Sequence, residues 1–407
     1  MSRTSLRGSS GTSANQLLPN PGCRPNRRVS EAAFLYSAFL TVLLACCAIE
    51  WVLWQTGATL TPAAAAAMQA GDPKVVWAGL ANQYADFKIH RIAQEKPDIV
   101  IIGDSPCSQL RSAMFKPYKT YNFCTTAWTI DQISDIVVRV DNAVHPKLII
   151  FSLGYYFFLD AWVTGWANKI PMVYDVSWSE AHADGLLRLI QLFQAHPGAF
   201  VQFLAGSTHE TIDGMGLSGA DSVALGFGIR YDGSVLYPSQ MRAAAPEHNQ
   251  NPFFGFLEAI PGSPQLQPAQ LQAVERLGAI GKERGLTLVG IQFPILKATV
   301  DFLDHDPFYR DYAGAWRQFE SASTRLRFRD FGIKLFDASH DAVTADRDNF
   351  LDPLHPTERG MLGVLIHLLD DPEFHSMLPD IDEAALRRKY QEANSAGETF
   401  DVYHAEF

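Results

Sequence analysis

Apolar residues fall into two patterns along this chain of 407 residues. The first is one long run. From Ala32 to Ile49 no residue carries a charge, and after Glu50 come Trp51, Val52, Leu53 and Trp54. A bilayer span needs about 20 mostly apolar residues, so 31–54 is expected to be a transmembrane anchor. The second pattern is a series of short apolar runs at 98–103, 121–124, 147–153, 286–293 and 332–337. Ile99, Val100, Ile101 and Ile102 are four β-branched residues in a row, as in a strand covered on both faces. Between these runs lie segments of helical character at 75–93, 106–116, 129–143, 267–284, 313–328 and 358–369. Strands alternating with helices predict βαβ units and a parallel sheet of about five strands.

The alternation fails over residues 155–260, far beyond an ordinary connection. This stretch opens with Tyr155, Tyr156, Phe157, Phe158, Trp162 and Trp166, then carries a helix-like segment at 179–204. Tyr231-Asp-Gly-Ser234 follows as a hairpin turn. It is expected to be an insertion over one face of the sheet, a lid or substrate wall. Part of the aromatic run continues a strand and belongs to the core; any exposed ring would suit stacking on a sugar. The organisation that follows is a disordered tail (1–30), the anchor (31–54), a stalk (55–74), a body (75–376) and a charged tail (377–407) with a surface helix near 384–393.

Charge sharpens this picture. The formal charge is −11, yet residues 1–30 hold five arginines and no acid, which leaves −16 on the rest. An acidic body argues against nucleic acid as a partner. Arginines ahead of the span and tryptophans behind it place residues 1–30 in the cytoplasm and the body outside, on a single-pass inner-membrane protein facing the periplasm. A cleaved signal peptide, with Ala63 to Ala67 as its cleavage region, is the competing reading. The apolar run is long for a signal, so the anchor is preferred.

Of five cysteines, only Cys107 and Cys124 fall in the body. They could pair in an oxidising compartment; two small buried thiols is the preferred reading. Neither number nor spacing suggests a zinc site, and no metal or cofactor is expected. Asp304-His-Asp306 lacks metal-site spacing and reads as a solvated loop. His90, His145 and His340 read as structural or surface residues.

The chemistry concentrates at two places. Gly103-Asp104-Ser105 ends the first apolar run of the body, and Pro106 opens the next turn. Ser105 is thereby held at the carboxyl end of a strand, where open α/β sheets bind ligands. Asp352-Pro-Leu-His355 follows the last run. A serine hydroxyl needs a base, and a histidine base needs an acid to fix its tautomer. Ser105, His355 and Asp352 supply all three.

These motifs resemble the SGNH/GDSL hydrolases, over roughly 95–155 and 285–370. The resemblance implies a flavodoxin-like three-layer α/β/α sandwich of about five parallel strands and a Ser-His-Asp triad. It also implies oxyanion donors from the Ser105 N–H and from a second block, where Cys124 or Thr125 stands near the expected glycine. In the third block Gly154 and Tyr155 stand where an asparagine donor is expected. The membrane span and the Tyr121-Asn-Phe and Leu153-Gly-Tyr segments resemble a membrane-anchored branch. That branch includes the D-alanine transfer protein and proteins of alginate and cellulose O-acetylation. It implies an acyl group carried on Ser105 to or from an exported or envelope polysaccharide, beside a multi-span O-acyltransferase, with residues 32–54 in the bilayer. A plain carboxylester hydrolase is a second enzymatic reading. A catalytically idle scaffold that binds polysaccharide or docks a membrane acyltransferase is the alternative of a different class.

Overall fold

The computed structural model describes residues 27–55, 60–73, 75–77, 84–165, 172–195, 197–198, 214–215, 228–237, 239–251, 260, 262–305 and 313–404. The chain divides into two units, 1–52 and 53–407. The expected tail 1–30 lies almost wholly outside the described residues. A helix runs Arg27–Gln55, and its stretch Glu31–Leu53 has 23 residues. At the α-helical rise that is about 34 Å, enough to cross the hydrocarbon core of a bilayer. Its large side chains, Phe34, Leu35, Phe39 and Leu43 among them, are exposed.

Among the described residues, the second unit has eleven strands. In chain order they are β1 (Val75–Trp77), β2 (Ile99–Ile102), β3 (Thr120–Phe123), β4 (Leu148–Ser152), β5 (Gly214–Met215), β6 (Gly228–Ile229), β7 (Val235–Leu236), β8 (Thr287–Gln292), β9 (Lys334–Asp337), β10 (Phe350–Asp352) and β11 (His355–Pro356). Five form the main sheet in the order β3-β2-β4-β8-β9, with every pair parallel. All five expected strands are therefore present. Successive residues feed opposite cores, as strand geometry requires. Val100, Ile102, Ile149 and Phe151 pack with Ile133 and Val137 of the helix Ile130–Val144 and with Val274 and Leu277 of the helix Pro268–Arg284. Ile99, Ile101, Leu148 and Ile150 pack on the other face with Met361, Leu362 and Leu365 of the helix Glu358–Leu369. The result is a mixed α/β protein with helices on both faces of a five-stranded parallel sheet.

Several expectations need correction. Within the expected stalk 55–74, Pro62–Gly71 is a helix, capped by Thr61, that belongs to the body, since its Ala65, Ala66 and Gln69 are buried. Small alanine side chains let it pack closely against Tyr84, Phe87 and Ile229. Residues 75–93 are not one helix but β1 followed by the helix Tyr84–Glu95. Pro106 does not open an α-helix. Two 3₁₀ turns, Ser105–Gln109 and Ser112–Phe115, stand there instead. The side-chain amide of Asn122 donates to the carbonyls of Cys107 (3.0 Å) and Leu110 (2.8 Å), acceptors that an α-helix would have used itself. The tail is not merely a surface helix. Glu383–Ala396 buries Leu386 and Ala393, and Val402 and Tyr403 behind it complete the same core.

Within 155–260, residues 166–171, 196, 199–213, 216–227, 238, 252–259 lie outside the described residues. Of the remainder, Tyr155–Phe158 is a fully buried 3₁₀ turn, so these rings are core and not a sugar-stacking surface. Trp162 is buried with them. The expected hairpin turn at Tyr231–Ser234 joins antiparallel β6 and β7. It covers the β3 edge of the main sheet: the Asn122 N–H donates to the Asp232 carbonyl at 2.8 Å. A Cβ on Gly233 would lie 2.1 Å from the Asn122 carbonyl, so this approach needs glycine.

Candidate active site

β2 lies between β3 and β4, and the chain leaves it first to one side and then to the other. A crevice opens at such a switch point beyond the strands' carboxyl ends, and Ser105 stands there. Gly103 has φ +152°, and a Cβ on it would lie 2.5 Å from Ser152 Cβ. A bare Cα is therefore what lets β2 turn sharply beside β4.

The second half of the site is a hairpin. β10 and β11 pair antiparallel with Asp352 opposite His355, and Pro353-Leu354 make the turn between them. A three-residue spacing is the spacing of a cross-strand pair flanking a two-residue turn, which gives Asp-x-x-His a geometric reason. The carboxylate of Asp352 lies 2.8 and 2.7 Å from His355 Nδ1, and its Oδ1 also accepts the N–H groups of Leu354 (2.9 Å) and His355 (3.1 Å). The turn is anchored outside itself by the Leu296 N–H donating to the Pro353 carbonyl at 2.9 Å. Thr357 then caps the helix Glu358–Leu369 through the Gly360 N–H.

The two halves meet at Ser105 Oγ and His355 Nε2, 2.6 Å apart although 250 residues separate them in sequence. With Nδ1–H donating to Asp352, Nε2 keeps its lone pair for the serine proton. Burial opposes the charge on His355, yet Asp352, and after it Asp104, hold its imidazole above the ordinary value. Burial pushes Asp352 up, but His355 and the two backbone donors prevail and hold its carboxyl below the ordinary value. Ser105, Asp352 and His355 are thus brought together as the sequence suggested.

The four oxyanion-block residues are placed differently. Cys124 is fully buried, and its N–H donates to Asn122 Oδ1 at 2.9 Å. The Thr125 N–H donates to the Asp104 carbonyl at 3.2 Å, and those of Thr126 and Ala127 to the Gly103 carbonyl. These amides hold the Gly103-Asp104 turn in place, so they are spent before any ligand arrives. Tyr155 donates its N–H to Gln292 Oε1 at 2.9 Å and sets its ring edge-on to Trp316. Gly154 makes room for the ring of Tyr156, whose Cε1 lies 2.5 Å from where a glycine Cβ would be. All four therefore read as supports of the turn.

Cys107 and Cys124 form a disulfide with Cα atoms 5.8 Å apart, which corrects the expectation of two thiols. β2 and β3 are neighbours in parallel register, with Ile102 beside Phe123, so chain leaving both strands passes through the same space. Lys88 is buried behind this loop and donates to the carbonyls of Cys124 (2.7 Å) and Gly233 (2.8 Å). Burial pushes its ammonium down to about 7 against the attraction of Asp232.

Sequence reasoning passed over Asp104, Tyr156 and Ser152. Asp104 is 2% exposed and accepts a hydrogen bond from the hydroxyl of Tyr156. The signal was available in part, since Asp104 sits inside the motif itself. Asp304 is not a solvated loop residue, because it accepts from Trp316 Nε1 at 2.7 Å; Asp306 lies outside the described residues. His145 and His340 are exposed and His90 is half-buried, each near an acid. A cavity of about 570 Å³ lies along the open edge of β9, lined by Arg325, Asp337, Asp341 and His367, and does not include the triad.

No protein-family model matches the chain, and no curated protein matches it significantly.

Proposed function

We propose that this protein is a membrane-anchored SGNH-type serine acyltransferase or esterase acting on acyl esters, acetyl above all, of an exported or envelope polysaccharide. The observation that carries the reading is the contact of Ser105 Oγ with His355 Nε2 at 2.6 Å, backed by Asp352 at 2.7 Å. Counted along the chain, the main sheet has the order 2-1-3-4-5, which supports a flavodoxin-like sandwich with its site at the switch point. The Glu31–Leu53 helix supports a single-pass anchor. The disulfide supports a body folded outside the cytoplasm, since such bonds persist in oxidising compartments.

In this mechanism Ser105 Oγ attacks the acyl carbonyl while its proton passes to His355 Nε2. The tetrahedral intermediate expels the donor's oxygen, which takes that proton from His355, and the acyl group remains as an ester on Ser105. A hydroxyl of the polysaccharide, or water, then attacks this ester and gives its proton to His355. Collapse returns the proton to Ser105 and releases the acylated polymer or the free acid. Asp352 stays ionised and orients the imidazole.

A second reading, an idle scaffold that binds polysaccharide or docks a membrane acyltransferase, is favoured by the spent amides of Cys124 and Thr125 and by the missing block-three asparagine. Loss of one oxyanion donor lowers turnover by about 10²–10³-fold. Full-length protein in detergent, given 4-nitrophenyl acetate, separates the two. Turnover with an acyl-Ser105 adduct by mass spectrometry, both absent in Ser105→Ala, supports the enzyme. Undiminished turnover in that variant removes the triad assignment, and absence of any adduct favours the scaffold. Faster transfer to an oligosaccharide than to water marks a transferase.

A further inference from the structure

We propose that Tyr156 is a positioning residue that acts through Asp104, holding this second carboxylate against the Ser105–His355 pair to stabilise the imidazolium formed when Ser105 gives up its proton. The inference rests on the serine-triad reading above, and it assigns a task to two residues which that reading leaves idle.

Three observations carry it. Asp104 precedes Ser105 directly, and both Asp104 and Tyr156 are only 2% exposed. The Tyr156 hydroxyl donates a hydrogen bond to Asp104 Oδ2. The ring that delivers this hydroxyl is fixed from several sides. It lies edge-on to Tyr155 (5.8 Å) and Phe157 (5.1 Å) and against Trp162 (4.9 Å). It also folds back over Gly154, where a Cβ would lie 2.5 Å from Cε1 and Cζ and 2.9 Å from Oη. A buried carboxylate costs free energy unless it is hydrogen-bonded, so a ring clamped to serve one carboxylate beside a nucleophile is there to keep it ionised.

The groups facing Asp104 fix the direction of the effect. From the turn after β4 comes Tyr156, from β4 Ser152, and from the β10–β11 turn His355 with Asp352 behind it. Burial holds Asp104 up at about 6 against the pull of Tyr156, Ser152 and His355, which lower it. Burial and Asp104 together hold the Tyr156 hydroxyl well above its ordinary value, so it donates at any working pH. Asp104 in turn is one of the groups that raise His355. Without the Tyr156 hydroxyl, Asp104 takes up a proton near neutrality and ceases to favour the imidazolium. Raising the pH removes that proton again.

The test is the pH dependence of Tyr156→Phe in the full-length protein in detergent with 4-nitrophenyl acetate. Expected is a kcat about tenfold below wild type at pH 6.5, the equivalent of one pKa unit, with KM unchanged and the deficit closing towards pH 9. Asp104→Asn should show a loss of similar size that higher pH does not repair. A loss through misplacement of the fold alone would be the same fraction at every pH, and that outcome overturns the proposal. Titration of His355 by NMR in histidine-labelled protein gives a readout independent of turnover: its pKa should fall in Tyr156→Phe. If wild type turns nothing over, the triad reading fails while this titration still decides the coupling; an unmoved His355 overturns it.

Discussion

Among the described residues, two Asp–His pairs share a geometry in which both carboxylate oxygens face one ring nitrogen. His355 Nδ1 lies 2.8 and 2.7 Å from the two oxygens of Asp352, and His367 Nδ1 lies 2.8 and 2.9 Å from those of Asp341. In both the acid holds the imidazole above its ordinary value. They part company at the other ring nitrogen and in their surroundings. His355 meets a serine at the carboxyl end of β2. His367 lines the cavity beside the β9 edge, with 38% of its side chain exposed. An oriented, basic imidazole is therefore common currency in a protein surface. What makes one of the two a candidate base is the nucleophile placed on it by a strand end and a glycine.

That contrast is breakable by experiment. The largest effect expected is from Ser105→Ala, which should lower turnover of an activated ester at least about a thousandfold, measured as initial rate and as loss of the acyl adduct. Next, Asp352→Asn should cost about 10²–10⁴-fold through the wrong tautomer of His355, while Asp341→Asn should stay within about twofold. Equal losses in the two asparagine variants would erase the distinction drawn here. A third expectation concerns pH. His355 must be neutral to take the Ser105 proton, so the rate should fall as pH drops through its elevated pKa. The midpoint of the acid limb of kcat/KM should lie above about 6.5, and His367→Gln should leave it in place. The smallest effect is on stability. A histidine whose pKa is raised on folding contributes fully below its unfolded value, and the contribution is lost as pH rises through the folded value. Denaturant midpoints should therefore decline slightly on going up through the titration of His367, and His367→Gln should flatten that slope.

Much of this was legible in the sequence because it is local. Runs such as Ile99–Ile102 report burial on both faces, Gly103 reports a sharp exit, and Asp352 and His355 sit at the spacing of a two-residue turn. What was not legible depends on which strands become neighbours. The Cys107–Cys124 bond follows from β2 lying beside β3, and the Tyr156–Asp104 contact from β2 lying beside β4. The 3₁₀ turns after Ser105 were missed because Asn122, on another strand, takes the carbonyls a helix would use. The alanine-rich segment 62–71 carries no pattern that distinguishes a spacer from a helix packed on Tyr84 and Phe87. The Thr125 amide looked available because its acceptor, the Asp104 carbonyl, is distant in sequence and adjacent in space.

Residues 399–404 bear on when the site can exist. The Arg359 N–H donates to the Thr399 carbonyl, the Tyr403 N–H to Glu358 at 2.9 Å, and Arg111 reaches the His404 carbonyl while it pairs with Asp232 and Glu358. Arg111 and Glu358 are fully buried there, so each charge depends on partners drawn from distant parts of the chain. Glu358 begins the helix just past His355, which puts this closure next to the Asp352–His355 turn. Synthesis runs from the amino end, so Ser105 is made early and residue 404 late. In the interval Arg111 and the Asp352–His355 turn would lack their closing contacts. The contacts that close around Glu358 thus form last, and the geometry at Ser105 and His355 belongs to the assembled body and not to its two motifs alone.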